Sequence, residues 1–127
     1  MLEVVNDLAS GDSALRSLME SSERPTAILA ATDQLAFGVL HAAHELGVRV
    51  PEDMSVVGFD DLPMSTFSVP ALTTVAMPTV DMTQRALDLA IDAIGGASEH
   101  QGPVTIEPDL VVRRSTGPPP DWEAAGS

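Results

Sequence analysis

The chain has 127 residues, 44% of them hydrophobic and 20% charged, which is enough for one globular domain and too little for two. Nineteen Asp and Glu residues oppose six Arg residues, and the formal net charge of −13 disfavours direct nucleic-acid binding by this chain. The absence of cysteine excludes disulfides, thiolate metal sites and cysteine nucleophiles. We find no membrane-spanning apolar run and no basic signal-peptide region, and we therefore expect a soluble, cytoplasmic protein without membrane partners.

The first half of the chain has the pattern of alternating helices and strands. Leucine and methionine spacing predicts a helix over residues 13–20, and a short apolar run predicts a strand over residues 27–31, buried on both faces. Apolar residues three and four apart predict a helix over residues 34–46, which Gly47 ends. Residues 54–59 are almost uninterruptedly apolar, as in a central parallel strand. The order strand, helix, strand predicts the α/β class with a parallel, Rossmann-like sheet.

The second half continues with a strand over residues 72–76 and a helix over residues 80–94 that ends at Gly95-Gly96. Two further extended segments are predicted over residues 104–107 and 110–113. Residues 117–127 contain three consecutive prolines and a small-residue end, which predicts a disordered tail after a folded region of residues 1–116.

Polar residues follow the first two predicted strands at their carboxyl ends, where open parallel sheets bind ligands. Thr32 and Asp33 follow the first strand, and Asp60 and Asp61 follow the second. We expect a hydroxyl and up to three carboxylates to face one crevice, which suits the hydroxyls of a polyol or nucleoside. Either Thr32 or Asp33 can cap the following helix. The alternative to a ligand site is that Asp33 caps that helix and that Asp60 or Asp61 caps a turn.

Catalytic and metal-binding interpretations of these residues are weaker. Asp60 and Asp61 as acid and base, or as cation ligands, would need further groups that we do not find, and adjacent strand residues point to opposite faces. His41 and His44 lie three apart on the predicted helix, but no third or fourth metal ligand is evident. We therefore expect no enzyme activity, no metal and no cofactor.

Phe37 lies off the apolar face of the helix predicted over residues 34–46, in a stripe with His41 and His44. Met64 and Phe67 form a second small apolar cluster soon after the following strand. We interpret Phe37, Met64 and Phe67 as a subunit interface; the alternative for Phe37 is partial burial beneath a loop.

Several segments together resemble the LacI/GalR family of transcriptional regulators. The most specific is Val50-Pro51-Glu52-Asp53-Met54-Ser55-Val56-Val57-Gly58-Phe59-Asp60-Asp61. Others, in the same order as in the family, are Arg24-Pro25-Thr26-Ala27-Ile28, Thr32-Asp33-Gln34-Leu35-Ala36-Phe37-Gly38-Val39-Leu40, Leu72-Thr73-Thr74-Val75 and Leu110-Val111-Val112-Arg113-Arg114-Ser115-Thr116. The resemblance covers roughly residues 4–116.

The resemblance implies a C-terminal portion of a two-lobed effector-binding core, similar to type I periplasmic sugar-binding proteins. Residues 1–70 and 104–116 would belong to one lobe, and residues 72–96 to a lobe whose main body is not in this chain. Asp60 matches the family's effector-contacting aspartate. Thr32 stands where many members carry an asparagine, so the nature of the sugar is open. Phe37, Met64 and Phe67 match positions that the family uses for dimer packing.

These observations favour the effector-sensing and homodimerising segment of a LacI/GalR-type repressor. Its ligand would be small and sugar-like or nucleoside-like, contacted by Thr32, Asp33 and Asp60, and DNA would be bound only through a helix-turn-helix module outside this chain. The alternative is a periplasmic-type solute-binding protein of an ABC transporter, with an export signal outside the sequence.

Overall fold

The computed structural model describes residues 5–96 and 102–120. Four helices and four strands occur in this part of the chain: α1 (Leu8–Met19), β1 (Ala27–Leu29), α2 (Asp33–Glu45), β2 (Ser55–Phe59), α3 (Met64–Phe67), β3 (Thr73–Ala76), α4 (Thr79–Ile94) and β4 (Asp109–Val111). The strands form one sheet in the order β1, β2, β3, β4, and the first three pair in parallel. The predicted α/β class with a mainly parallel sheet is confirmed.

The helix α2 forms as the sequence predicts. Its N-cap is Thr32, whose side-chain oxygen accepts a hydrogen bond from the backbone N–H of Leu35 at 3.3 Å. The helix ends at Glu45, and Gly47 follows with a φ of +71°, a left-handed conformation that glycine adopts without strain. Its buried face packs on β2 and forms most of the hydrophobic core, together with Leu15, Met54 and Leu72.

The helix α1 begins earlier than the predicted residues 13–20. Asp7 caps it by accepting a hydrogen bond from the Ser10 backbone N–H at 2.7 Å, and this added turn places Gly11 against α2. The spacing of leucine residues does not indicate this turn, because the residues of the turn are mostly small or polar. These small residues allow the backbones of α1 and α2 to lie close together.

The strand β1 differs from the expectation of burial on both faces. It lies at an edge of the sheet, and Leu29 is 77% exposed, whereas Ile28 packs against the core. The run of apolar residues therefore has one covered side only. Apolar composition alone does not separate a central strand from an edge strand, because burial depends on what packs against each face.

The described residues divide into two compact units, residues 5–76 with 110–120 and residues 77–96 with 102–109. The first unit contains β3, which pairs with β2. The second unit contains α4, which buries none of its residues. The assignment of residues to lobes stays a prediction.

Smaller differences from the expectations concern α3 and the segments around β4. The four-residue helix α3 is not predicted from the sequence, and the predicted extended segment over residues 104–107 is not a strand. Of the predicted tail, residues 121–127 lie outside the described residues, whereas Gly117 exchanges two hydrogen bonds with Ser55. Among the described helices, none has the length and apolar character required to cross a membrane.

Candidate functional site

The carboxyl ends of β1 and β2 lie side by side because the two strands pair in parallel. Thr32 follows β1, is partly exposed, and donates its hydroxyl proton to the side-chain oxygen of Asn6 while accepting from the Leu35 N–H. A hydroxyl has one proton and two lone pairs. Thr32 therefore keeps one lone pair available and can accept one hydrogen bond from a ligand.

Asp33 is placed differently from the expected crevice-facing carboxylate. It is fully buried at the start of α2, and its two oxygens accept three hydrogen bonds from the protein. Oδ2 accepts from the Leu62 N–H at 2.8 Å and from the Ser65 hydroxyl at 2.5 Å, and Oδ1 accepts from the Thr74 hydroxyl at 2.5 Å. Buried carboxylates are stable when bonded in this way and when they lie at a helix N-terminus.

Asp60 and Asp61 form a turn with left-handed backbone directly after β2, with φ values of +115° and +52°. Such values cost free energy in a residue with a side chain and persist only where neighbouring contacts enforce them. Three consecutive backbone N–H groups are bonded here: Asp60 to the Val75 carbonyl at 2.9 Å, Asp61 to the Thr74 hydroxyl at 3.4 Å, and Leu62 to Asp33. The turn is therefore held at every residue.

The two carboxylates of this turn have different surroundings. Asp61 Oδ1 accepts a hydrogen bond from Arg113 Nη2 at 2.6 Å, and Arg113 also donates to the Leu72 carbonyl at 2.8 Å. Asp60 is exposed, and no hydrogen bond or ion pair of its side chain is found within residues 5–96 and 102–120. The structure therefore leaves Asp60 as the carboxylate at this edge with capacity to accept from a ligand.

The strain at Asp60 gives a testable expectation for stability. Replacing Asp60 with glycine should raise the free energy of unfolding by about 1 kcal/mol, because the relieved strain of about 1–3 kcal/mol exceeds the entropy that glycine adds to the unfolded chain. Urea denaturation measures this difference. The control is Asp60→Ala, which removes the carboxylate but keeps Cβ and should give no gain. An Asp60→Gly variant that is no more stable than Asp60→Ala would contradict a strain larger than the entropic cost of glycine.

The second predicted cluster lies on α2 and α3. Phe37 is partly buried against the core, and it lines a surface depression with His41, His44 and Met64. Met64 is 58% exposed, and Phe67, on the same short helix, is 76% exposed. The structure thus brings Phe37 and Met64 together and leaves Phe67 available at the surface. Whether this face binds a second subunit stays a prediction.

His41 has a partner that the spacing argument did not identify. Its Nδ1 lies 2.8 Å from Asp12 Oδ2, and Arg16 Nε donates to Asp12 Oδ1 at 2.6 Å. These hydrogen bonds, that from Arg16 above all, lower the pKa of Asp12 to about 2. No group of three or more His, Asp or Glu side chains suited to a metal ion occurs in the described ranges.

The roles of Thr74, Ser65 and Arg113 in the site are not predicted from the sequence. Thr74 is a fully buried hydroxyl in β3, next to the buried Thr73, and two adjacent threonines inside a strand are the available signal, because a buried hydroxyl requires a partner. Arg113 follows β4 and reaches Asp61 across 52 residues of sequence, which no local pattern reveals.

Comparison with known proteins agrees with this architecture. Residues 3–116 match the model of the periplasmic binding protein-like domain. The chain is 38% identical over 111 residues to the HTH-type transcriptional repressor PurR of Salmonella arizonae, an alignment that covers 87% of the chain and 33% of that repressor. The chain therefore spans about a third of the length of the curated relatives it matches.

Two solved structures illustrate the fold similarity. A LacI family transcriptional regulator from Bifidobacterium animalis superposes with a TM-score of 0.89 at 29% identity, covering 93% of this chain and 43% of that one. A LacI family regulator from Enterococcus faecium with bound ribose gives a TM-score of 0.80 at 29% identity, covering 92% and 43%. The chain belongs to the family of periplasmic binding protein-like domains, in the form that LacI-type transcriptional regulators carry.

Proposed function

We propose that this chain is the C-terminal effector-sensing segment of a LacI/GalR-type regulator and that it binds a small polyhydroxylated ligand at the carboxyl ends of β1 and β2. The observation that carries the proposal is the turn at Asp60 and Asp61. Its backbone is held at every residue, yet the Asp60 carboxylate remains exposed and unpartnered within the described residues. A carboxylate presented in this way is suited to bind ligand O–H or N–H groups.

The hydrogen bonds that Asp60 and Thr32 can still accept at the carboxyl ends of β1 and β2 determine which groups a ligand must present. Ionised Asp60 only accepts hydrogen bonds, and Thr32 has its proton committed to Asn6 and one lone pair left. Both groups therefore require donors on the ligand. Adjacent hydroxyls of a sugar, or of the ribose of a nucleoside, supply two such donors at close spacing.

The comparisons support a regulatory role. The curated relatives are named transcriptional repressors, and a structural neighbour was solved with ribose. A solute-binding protein of a transporter is not favoured by these names, and none of them indicates an enzyme. We infer that DNA binding resides in a helix-turn-helix module outside the 127 residues, and that the regulator acts in the cytoplasm.

We also propose that the chain forms a homodimer through Phe37, Met64 and Phe67. The support is that Phe37 and Met64 line one depression and that α3 exposes two large apolar side chains in four residues. Exposed apolar side chains grouped in this way mark interaction surfaces. A ligand would then act by favouring one arrangement of the sensor core over another, since only differential affinity shifts such an equilibrium.

The ligand class is tested by thermal unfolding of the chain with ribose, adenosine or glycerol. We expect ribose or adenosine to raise Tm, because a ligand that binds only the folded state stabilises it, and glycerol at equal concentration to have a smaller effect. In Asp60→Asn, the same rise in Tm should require at least about tenfold more ligand, since a hydrogen bond to a charged group contributes about 1.5–3 kcal/mol. The exposed Asp88→Asn on α4 is the matched control. An unchanged response in Asp60→Asn would refute the proposed contact.

A further inference from the structure

The turn that presents Asp60 depends on a buried polar cluster beneath it. Asp33 and Thr74 are both fully buried, and their side chains are hydrogen-bonded to each other at 2.5 Å. The Thr74 hydroxyl also accepts from the Asp61 N–H at 3.4 Å, and Asp33 Oδ2 accepts from the Leu62 N–H at 2.8 Å. Two successive amides of the turn are therefore bound by one hydrogen-bonded pair of side chains.

The surrounding fold fixes the position of this pair. Asp33 is the first residue of α2, and Thr74 lies within β3, so the pair connects a helix N-terminus to a strand of the sheet. At Gly58 of β2 there is no room for a side chain, because a Cβ atom there would lie 2.2 Å from Asp33 Oδ1. The same Asp33 oxygen that binds Leu62 accepts from the Ser65 hydroxyl of α3.

The left-handed backbone at Asp60 and Asp61 requires enforcement from outside the turn. Three contacts beyond the pair contribute: the bond from Asp60 to the Val75 carbonyl, the ion pair from Arg113 to Asp61 and the bond from Ser65 to Asp33. The Leu62 carbonyl accepts a hydrogen bond from the Ser65 N–H at 2.8 Å. Among the described residues, only the pair binds the two N–H groups immediately after Asp60, at residues 61 and 62. It is therefore the contact that sets the direction in which the chain leaves Asp60.

We propose that Asp33 and Thr74 are positioning residues, which touch no ligand but hold the Asp60–Asp61 turn in the conformation that presents the Asp60 carboxylate. The proposal assigns to Asp33 a role behind the site instead of in direct contact. The claim that the pair raises ligand affinity rests on the proposed function. The claim that the pair holds the turn does not depend on it. A site held by such supporting contacts binds without first ordering itself, and losing them lowers affinity.

The test uses Thr74→Val, which retains the shape and removes the hydroxyl, and Thr74→Ser, which retains the hydroxyl. Amide hydrogen exchange is followed by NMR on the whole chain. We expect Thr74→Val to raise exchange at Asp61 and Leu62 by at least about tenfold relative to the wild type. The N–H groups of Ala30 and Ser55, which bond to Val57 and Thr26 in the β1–β2 ladder, should exchange as before. Thr74→Ser should restore protection.

Two outcomes overturn the proposal: unchanged exchange at Asp61 and Leu62, or an equal rise at every amide, which is a global loss of stability. If Thr74→Val does not fold, Ser65→Ala is the second variant, because it removes another hydrogen-bond donor to Asp33. Ser65→Ala should raise the exchange of the Leu62 amide and leave that of the Asp61 amide unchanged. In a parallel titration, ribose should bind Thr74→Val about tenfold more weakly than wild type. If Thr74→Val changes amide exchange but binds ribose as tightly as wild type, the pair does not position the turn for binding. If wild type binds neither ribose nor adenosine, the proposed ligand class is refuted. The exchange measurement then still decides whether the pair holds the turn.

Discussion

Replacing Gly38 with alanine is expected to lower the free energy of unfolding by about 3 kcal/mol, the upper part of the range for overpacked cores. A Cβ atom at Gly38 would lie 2.0 Å from the Leu8 carbonyl oxygen and 2.8 Å from the Asp12 nitrogen. These are backbone atoms of α1, so no side-chain rotation relieves the overlap, and the two helices must separate. Separation would expose Leu15 and the buried face of α2. Urea denaturation followed by circular dichroism measures the loss.

The matched control for this substitution is Gly95→Ala. A Cβ at Gly95 has no neighbour closer than 3.4 Å, and the backbone there is right-handed with a φ of −73°. We expect the free energy of unfolding of Gly95→Ala to stay within about 0.5 kcal/mol of wild type. A Gly38→Ala variant as stable as this control would show that α1 and α2 do not cross as closely as described.

Replacing Phe67 with aspartate is expected to raise the dissociation constant of the proposed homodimer by at least about thirtyfold. A well-packed aromatic residue at an interface contributes about 2 kcal/mol or more, and 1.4 kcal/mol corresponds to a factor of ten. In a two-fold symmetric interface both copies carry the change, so two carboxylates enter an apolar contact together. Sedimentation equilibrium of the chain at several concentrations measures the constant.

The control for Phe67→Asp is Val5→Asp, because Val5 is similarly exposed, at 71% compared with 76%, and lies before α1. The dissociation constant of the Val5→Asp homodimer should equal that of the wild type. Wild-type protein that stays monomeric at all concentrations, or equal dissociation by the two variants, would contradict the assignment of the dimer to α2 and α3.

The parallel sheet and the helix α2 follow from local sequence patterns. The apolar spacing over α2, its Thr32 cap and Gly47 act within a few residues of each other, so the sequence contains the signals that begin and end the helix. The apolar run of β2, which only Ser55 interrupts, likewise indicates a central strand, and β2 lies between β1 and β3. Exposure of Leu29 was not predictable, because it depends on which elements cover each face of the sheet.

The candidate site was predictable in location but not in the division of roles. Parallel pairing of β1 and β2 places Thr32 and Asp60 at one edge, as expected. The burial of Asp33 depends on Leu62, Ser65 and Thr74, which lie 29, 32 and 41 residues away in sequence. Asp61 is neutralised by Arg113 through another long-range contact. The carboxylates of Asp33, Asp60 and Asp61 therefore differ in burial and hydrogen bonding because of tertiary contacts that sequence spacing does not reveal.

Titration of the isotope-labelled chain with ribose, followed by two-dimensional NMR of its backbone amides, tests the location of the ligand site most directly. The proposed contacts predict shifts concentrated at Thr32, Asp60 and Asp61 that increase with ribose concentration and that require at least about tenfold more ribose in Asp60→Asn. No shifts at these residues, or shifts confined to α4 or to the surface of Phe37 and Met64, would contradict the site.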